Sequence, residues 1–264
     1  MADLAAREPY DLVVNLEQTP MSMVASAVLA GEHGAVVGPC VGKGGRERLP
    51  FSDDERGRLA EDKDWKRETI REAYPFLDSG YIGEIFCRLA YLDGPIPRYD
   101  LPTVMPMGAI PDVLIACSAS LPDKLWTTEK WLASLGWLKE QGLSVGLLGA
   151  PPAKQKEFWK GSSLEDDLVA SGMIEDLRGA FTLPEVVGAL EMARLVLTLD
   201  NGILHLACAG STPTVGLFRY GIHRLWAPPV PNLAVLHAAP DQVVADIEVS
   251  TVVKALQAAV ESTA

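Results

Sequence analysis

The chain has 264 residues and a formal net charge of −12 at pH 7, with 48% hydrophobic and 22% charged residues. This composition is typical of a folded protein with a sizeable core and one or two domains, and it excludes a disordered chain. Because nucleic-acid binding depends on clustered Lys and Arg, the acidic balance argues against a nucleic-acid partner. It gives no support for docking on an anionic membrane either.

The cysteines are scattered and lack the spacing of a zinc site; they are Cys40, Cys87, Cys117 and Cys208. This usage predicts free thiols in a reducing compartment and no metal site. The amino terminus lacks the pattern of a signal peptide, and no apolar run reaches the length of a membrane span. We therefore expect a cytoplasmic protein.

The first hundred residues predict a small region of mixed helix and strand. Its predicted elements are strands over Tyr10–Leu16 and Ala35–Gly38 and helices over Ser22–Ala30 and Gly80–Leu92, with one or two surface helices over Asp53–Ala73. A passage rich in Pro and Gly follows at residues 97–110. Such a composition is typical of a linker between domains.

Beyond the linker, strands and helices alternate regularly. The predicted strands are Val113–Cys117, Ser144–Leu148, Ile174–Leu177, Leu195–Leu199, Pro213–Phe218 and Leu233–Leu236. The predicted helices are Thr127–Gln141, Glu157–Lys160, a helix that runs from a capping box at Thr182–Glu185 to Arg194, a short helix from Ile203, and Val249–Glu261. This alternation predicts a parallel, doubly wound sheet, and therefore a Rossmann-like domain over residues 111–264.

The most informative segment is Leu195–Phe218, which predicts a buried strand, a polar turn, a short helix and a second buried strand. The turn is Asp200-Asn201-Gly202, at the carboxyl end of a strand, where open α/β sheets bind ligands. A helix amino terminus at that point favours a phosphate, and His205 lies in the first helical turn. Two alternatives are structural: Asp200 caps the helix, and His205 packs against the sheet.

The same segment, LVLTLDNGILHLACAGSTPTVGLF, resembles the D-S/T-G-x-x-H-L-A-A…T-P-x-V-x-L-F block of glycosyltransferase family 9, the ADP-heptose:lipopolysaccharide heptosyltransferases. Asn201 replaces the usual Ser or Thr, and Cys208 replaces an Ala. The resemblance implies the GT-B architecture of two Rossmann-like parallel-sheet domains. It implies a partial, acceptor-side domain over residues 1–96, a linker over 97–110 and a donor-binding domain over 111–264.

The resemblance also implies which residues bind the donor. SASLPDKLW resembles the family's "pGas…KxW" block, whose Lys meets the donor phosphates, although a lone loop lysine is usually solvated. After Phe218 the family continues with G-P-T, where this chain has Arg219; an arginine suits a diphosphate, and a salt-bridged loop is the alternative. The implied donor-binding residues are Lys124, Asp200, Asn201, Gly202, His205 and Arg219, and neither a metal nor a cofactor is implied.

One departure from the family is substantial. The strand at Tyr10–Leu16 resembles one that lies in the middle of the family's first domain, so the family's usual amino-terminal segment has no counterpart here. That segment carries the Gly-Asp turn of the catalytic base, and no Gly-Asp dipeptide occurs in this sequence. Glu17 and Glu84 are acidic residues of the same region, but neither matches the position of the base. The catalytic residue stays unassigned.

Three hypotheses follow. In the first, the chain transfers a heptose-like sugar from a nucleotide-diphosphate donor, ADP-linked, to a bacterial saccharide or lipid-linked saccharide of lipopolysaccharide biosynthesis, with inversion and without a metal. In the second, it is a non-catalytic nucleotide-sugar-binding or scaffold subunit. In the third, it is a fragment of a longer chain. Loss of the first strand–helix units would leave a sheet edge uncovered, which predicts a homo-oligomer or a partner chain that covers it.

Overall fold

The computed structural model describes residues 8–42, 44–154 and 164–262, and the chain divides into two compact units, residues 1–97 and 98–264. The helix expected over Glu157–Lys160 lies outside the described residues. Residues 98–110 of the expected linker belong to the second unit, where the Val104 N–H donates to the Pro184 carbonyl at 3.0 Å. The expected domain limits themselves stay a prediction.

The first unit holds two short parallel strands and four helices among its described residues. They are β1 (Leu12–Val14), α1 (Pro20–Ala30), β2 (Ala35–Val37), α2 (Glu55–Glu61), α3 (Ile70–Ala73) and α4 (Ile82–Leu89). The charged stretch expected to form surface helices does form α2 and α3, but each also buries apolar residues, including Leu59 and Ile70. In contrast, β1 leaves Leu12 and Val14 56% and 44% exposed.

A fully buried carboxylate organises the end of the first unit. The Glu84 side chain accepts hydrogen bonds from the backbone N–H groups of Asp78, Ser79 and Gly80 at 2.6–3.0 Å. It also accepts one from the Ser79 hydroxyl at 2.7 Å and pairs with Arg88 at 3.2 Å. Burial by itself raises the pKa of Glu84, but these hydrogen bonds outweigh it and hold the pKa below 4.5. Glu84 is therefore a structural anion.

The second unit contains a parallel sheet of six strands. The strands are β3 (Val113–Ala116), β4 (Val145–Leu147), β5 (Glu175–Asp176), β6 (Leu195–Leu199), β7 (Thr214–Phe218) and β8 (Leu233–His237). The described helices are α5 (Thr128–Glu140), α6 (Leu164–Ala170), α7 (Leu183–Met192), α8 (Gly202–Ala209), α9 (Ile222–Trp226) and α10 (Val249–Ser262), with 3-10 turns at Pro122–Lys124 and Val244–Asp246. The predicted mixed α/β fold with a doubly wound parallel sheet is confirmed.

The strand order is β5-β4-β3-β6-β7-β8, with every neighbouring pair parallel. Counted within the unit this is 3-2-1-4-5-6, the order of dinucleotide-binding sheets. The central strands are near-continuous runs of buried residues because helices cover both faces. On one face, side chains of α5 and α10 pack on the sheet, and on the other, side chains of α7 and α8 do so.

We expect Glu84→Gln to destabilise the first unit by about 3 kcal/mol, because it removes the buried anion beside Arg88 and turns an amide toward N–H donors. Asp78, the other carboxylate that pairs with Arg88, is 81% exposed and compensates the buried guanidinium less. The stabilisation by ionised Glu84 is complete above the ordinary pKa of 4.5 and is lost as the pH falls toward the lower folded pKa. Urea unfolding at neutral pH measures the loss. Glu61→Gln, at an exposed carboxylate at the end of α2, is the matched control, and equal stabilities of the two variants would contradict the prediction.

Candidate functional site

The candidate site lies where the strand order reverses. Strands β3 and β6 are neighbours in the sheet, but their chains leave the carboxyl edge in opposite directions, which opens a crevice there. Ser118 follows β3, and Asp200 follows β6 directly. The register pairs Ala116 with Thr198, so both strands end at the same level.

Lys124 and Asp200 meet in this crevice. Lys124 Nζ lies 2.7 Å from Asp200 Oδ2 and 3.4 Å from the Asp200 carbonyl oxygen. The contact between Lys124 Nζ and Asp200 Oδ2 is an ion pair whose angles do not meet those of a hydrogen bond. Only 16% of the lysine side chain and 6% of the aspartate side chain are exposed. Since both charges are largely removed from water, each depends on the other or on a ligand for compensation.

A tryptophan anchors the turn that carries Lys124. The turn Pro122–Lys124 leads to Trp126, which is fully buried and packs edge-on against Trp131 at 5.2 Å between ring centroids. Its indole Nε1–H donates to the Ile247 carbonyl at 2.9 Å. This anchoring holds the short segment before it, and therefore Lys124, over the sheet edge. The K-x-W spacing thus has a packing reason.

Asn201, rather than Asp200, caps helix α8. Its Oδ1 accepts the N–H groups of Ile203 and Leu204 at 2.9 and 3.3 Å. Its Nδ2 donates across the crevice to the Ser118 carbonyl at 3.0 Å, and the Thr198 hydroxyl donates to its Oδ1 at 3.1 Å. The capping alternative raised for Asp200 is therefore wrong. The Asn201 side chain is occupied by structural bonds, and its amide ties the β3 loop to the β6 loop.

Gly202 faces open space beside an apolar groove. A Cβ atom added at Gly202 would meet no heavy atom within 4 Å. The groove runs along the carboxyl edge on the β4 side of the crevice and encloses about 510 Å³. Its apolar lining includes Leu148, Phe181, Leu183, Ile203 and Leu206. This volume lies within the about 300–1,000 Å³ of small-molecule sites.

His205 stands beside the Lys124–Asp200 pair on α8. Its ring meets Trp226 of α9 edge-on, at 6.4 Å between centroids. Burial lowers the pKa of His205 below 6.5; the negative charge of Asp200 works against this shift, and Lys124 adds to it. At neutral pH the ring is therefore uncharged. The structure brings Lys124 to Asp200, from which it is separated by 76 positions in the sequence, and to His205, which lies one helical turn after Asp200.

Arg219 has a carboxylate partner that the sequence analysis did not name. Its Nη1 donates to Asp123 Oδ2 at 2.6 Å. Asp123 immediately precedes Lys124, and Arg219 immediately follows β7, the strand next to β6. The salt-bridge alternative for Arg219 therefore describes this structure. In the sequence, the position of Asp123 next to Lys124 is the feature that could have drawn attention to it. Its pairing with Arg219 depends on the strand order of the sheet and could not be predicted.

Two other acidic residues, Glu175 and Glu84, have surroundings of their own. Glu175 is exposed on β5, the outermost strand, and is not among the residues that line the groove. Glu84 is held by the bonds of the first unit. Within the described ranges, no group of three or more His, Cys, Asp or Glu side chains is arranged to hold a metal ion. No described helix is long and apolar enough to cross a membrane.

Residues 102–254 match the family model described as glycosyltransferase family 9 (heptosyltransferase). The match covers more than half of the chain and contains the whole crevice. This chain belongs to glycosyltransferase family 9. No curated protein matches the chain.

Two solved structures of E. coli heptosyltransferases share the fold. E. coli ADP-heptose lps heptosyltransferase II is 18% identical to this chain, with a TM-score of 0.62. The alignment covers 96% of this chain and 77% of that one. E. coli heptosyltransferase WaaC with ADP is 18% identical to this chain, with a TM-score of 0.59. The alignment covers 96% of this chain and 73% of that one. A match to a Veillonella parvula family 9 protein, 18% identical with a TM-score of 0.48, covers 57% of this chain and 46% of that one.

We expect the His205 imidazole to titrate below 6.5 because burial disfavours its charged form. Asp200→Asn removes a favourable negative charge and lowers this pKa further, whereas Lys124→Gln removes a nearby cation and raises it. Because the folded pKa is depressed, protonation of His205 destabilises the fold as the pH drops below 6.5. Histidine NMR titration measures these shifts, with His205→Gln to assign the signal. Shifts in the same direction for both variants would refute this account.

Proposed function

We propose that this chain transfers a heptose-like sugar from an ADP-linked nucleotide-diphosphate donor to a bacterial saccharide acceptor, with inversion and without a metal. The observation that carries the proposal is the buried Lys124–Asp200 pair with His205 beside it, at the point where the strand order of a family 9 domain reverses. An apolar groove of about 510 Å³ adjoins it.

The chemistry of a sugar nucleotide accounts for the proposed roles. Transfer of the sugar leaves negative charge on the diphosphate, and in a metal-independent enzyme fixed cations and N–H dipoles must stabilise that charge. Lys124 is the proposed primary cation, and Arg219 is the second. Asp200 holds Lys124 in place and orients the site, and neutral His205 contributes a hydrogen bond to a phosphate or sugar oxygen.

The groove suits the nucleoside part of the donor. Its apolar lining favours a flat base, and the absence of a side chain at Gly202 lets the ligand approach the backbone closely. Asn201 keeps the two loops at a fixed separation beneath it. The preference for adenine draws on the likeness to heptosyltransferases whose structures contain ADP or ADP-linked heptose. The lipopolysaccharide-type acceptor draws on the family alone.

The first test is calorimetric titration of the wild-type chain with ADP, UDP and GDP. We expect selective binding of ADP, weakened about tenfold or more in Lys124→Gln, because a hydrogen bond to a charged group contributes about 1.5–3 kcal/mol. Lys139→Gln is the matched control; Lys139 is exposed near the end of α5, which runs from the carboxyl edge of the sheet to its amino edge. Absence of binding, or equal affinities in both variants, would refute the proposed donor site.

A second candidate, a binding or scaffold subunit without turnover, is favoured by two observations in the first unit. Glu84 is fully occupied by structural bonds, and β1 exposes an apolar face through Leu12 and Val14. Failure to release ADP from ADP-heptose in the presence of saccharide acceptors, despite binding of the donor, would select this candidate over the enzyme. The exposed face also supports self-association, since an uncovered apolar edge strand promotes pairing between chains.

We expect the wild-type chain to self-associate and Leu12→Lys/Val14→Lys to shift it toward monomer, because the added charges oppose burial of β1. Sedimentation velocity measures the change. Met21→Lys adds one charge at a residue that is 78% exposed but lies on α1, and it serves as the control. A wild-type chain that stays monomeric over the whole concentration range would contradict self-association.

A further inference from the structure

Two cation–carboxylate pairs lie side by side at the crevice. The adjacent residues Asp123 and Lys124 occupy one 3-10 turn, and each pairs with the residue that follows a different strand. Lys124 meets Asp200 after β6, and Asp123 meets Arg219 after β7. Since β6 and β7 are paired neighbours, the two ion pairs bridge the same turn to adjacent strand ends.

The Asp123–Arg219 pair uses only part of its bonding capacity. One hydrogen bond joins Arg219 Nη1 to Asp123 Oδ2, whereas Arg219 Nε and Asp123 Oδ1 are both buried and have no partner in the described part of the chain. Buried polar groups are nearly always hydrogen-bonded, and leaving them unpaired is unfavourable. A bidentate arginine–carboxylate contact would have satisfied these atoms. The Asp123–Arg219 pair is therefore held by one short hydrogen bond and lacks the stability of a bidentate ion pair.

We propose that Asp123 is the resident counter-ion of Arg219 and gives up the guanidinium to a phosphate group of the donor. This inference rests on the proposed function, and it adds a residue that sets donor affinity without touching the donor. A phosphate offers several acceptor oxygens and more negative charge than a carboxylate, so it can engage the guanidinium more fully. Asp123 is thus a positioning residue that holds Arg219 at the sheet edge and competes with the ligand for it.

The exchange has a distinctive energetic signature. Removal of the Asp123 charge frees Arg219, so Asp123→Asn should tighten phosphate binding, whereas loss of a purely structural contact would weaken binding or leave it unchanged. The pair is partly exposed, with 24% of the arginine and 40% of the aspartate side chain accessible. Removal of a competing ion pair of this exposure should increase the affinity for phosphate about two- to fivefold.

The test is a double-mutant cycle read by calorimetry with inorganic pyrophosphate and with ADP. We expect Asp123→Asn to tighten both ligands about two- to fivefold and Arg219→Gln to weaken both. In the double variant the gain should disappear, because no guanidinium remains to be released. Asp123→Glu keeps the charge and should give no gain, and Asp241→Asn, at an exposed aspartate, is the control for the change in net charge.

The outcomes separate this inference from the proposed function. Wild-type protein that binds neither ADP nor pyrophosphate overturns both. Wild-type binding without a gain in Asp123→Asn overturns the counter-ion role alone, and so does a gain that persists in the double variant, which would reflect general repulsion. Thermal unfolding checks the fold of each variant, and Asp123→Ser supplies the same loss of charge if the asparagine variant does not fold.

Discussion

The parallel pairing of β3 with β6 is the constraint on which the rest of the candidate site depends. It brings the turn after β3 to the turn after β6 and so allows Lys124 to reach Asp200 across 76 residues of sequence. The Asn201 amide completes this link by donating to the Ser118 carbonyl. Without that strand order, the family motif after β6 would face a different loop and would have no cation beside it.

Much of this arrangement could be predicted from the sequence because buried parallel strands are short apolar runs bounded by turn residues. Leu195–Leu199 forms β6 over the expected residues, and Lys124, Asp200 and His205 lie together as their strand-end positions indicate. The identity of the helix cap could not be predicted, because Asp and Asn are both good caps and only the local backbone decides between them.

The partners of charged residues were equally inaccessible to sequence analysis. Arg219 pairs with Asp123, which lies 96 residues away, and Glu84 turns toward the backbone of its own loop. Both outcomes depend on burial and on which strands are neighbours, and neither leaves a periodic pattern in the sequence. The protein has a net charge of −12, and at the crevice Lys124 and Arg219 are each paired with one carboxylate. Under the proposed function, a donor phosphate would therefore bind there by replacing a carboxylate rather than by meeting a positively charged surface.

The burial of β6 on both faces limits motion at the carboxyl edge of the sheet. All five of its residues are buried between helices, and both of its sides are paired with other strands. Amide protons in such a strand exchange with solvent only when the surrounding unit opens cooperatively. The floor beneath Asp200 therefore has the full stability of the second unit, and we expect any rearrangement on ligand binding to involve the loops and short helices above it.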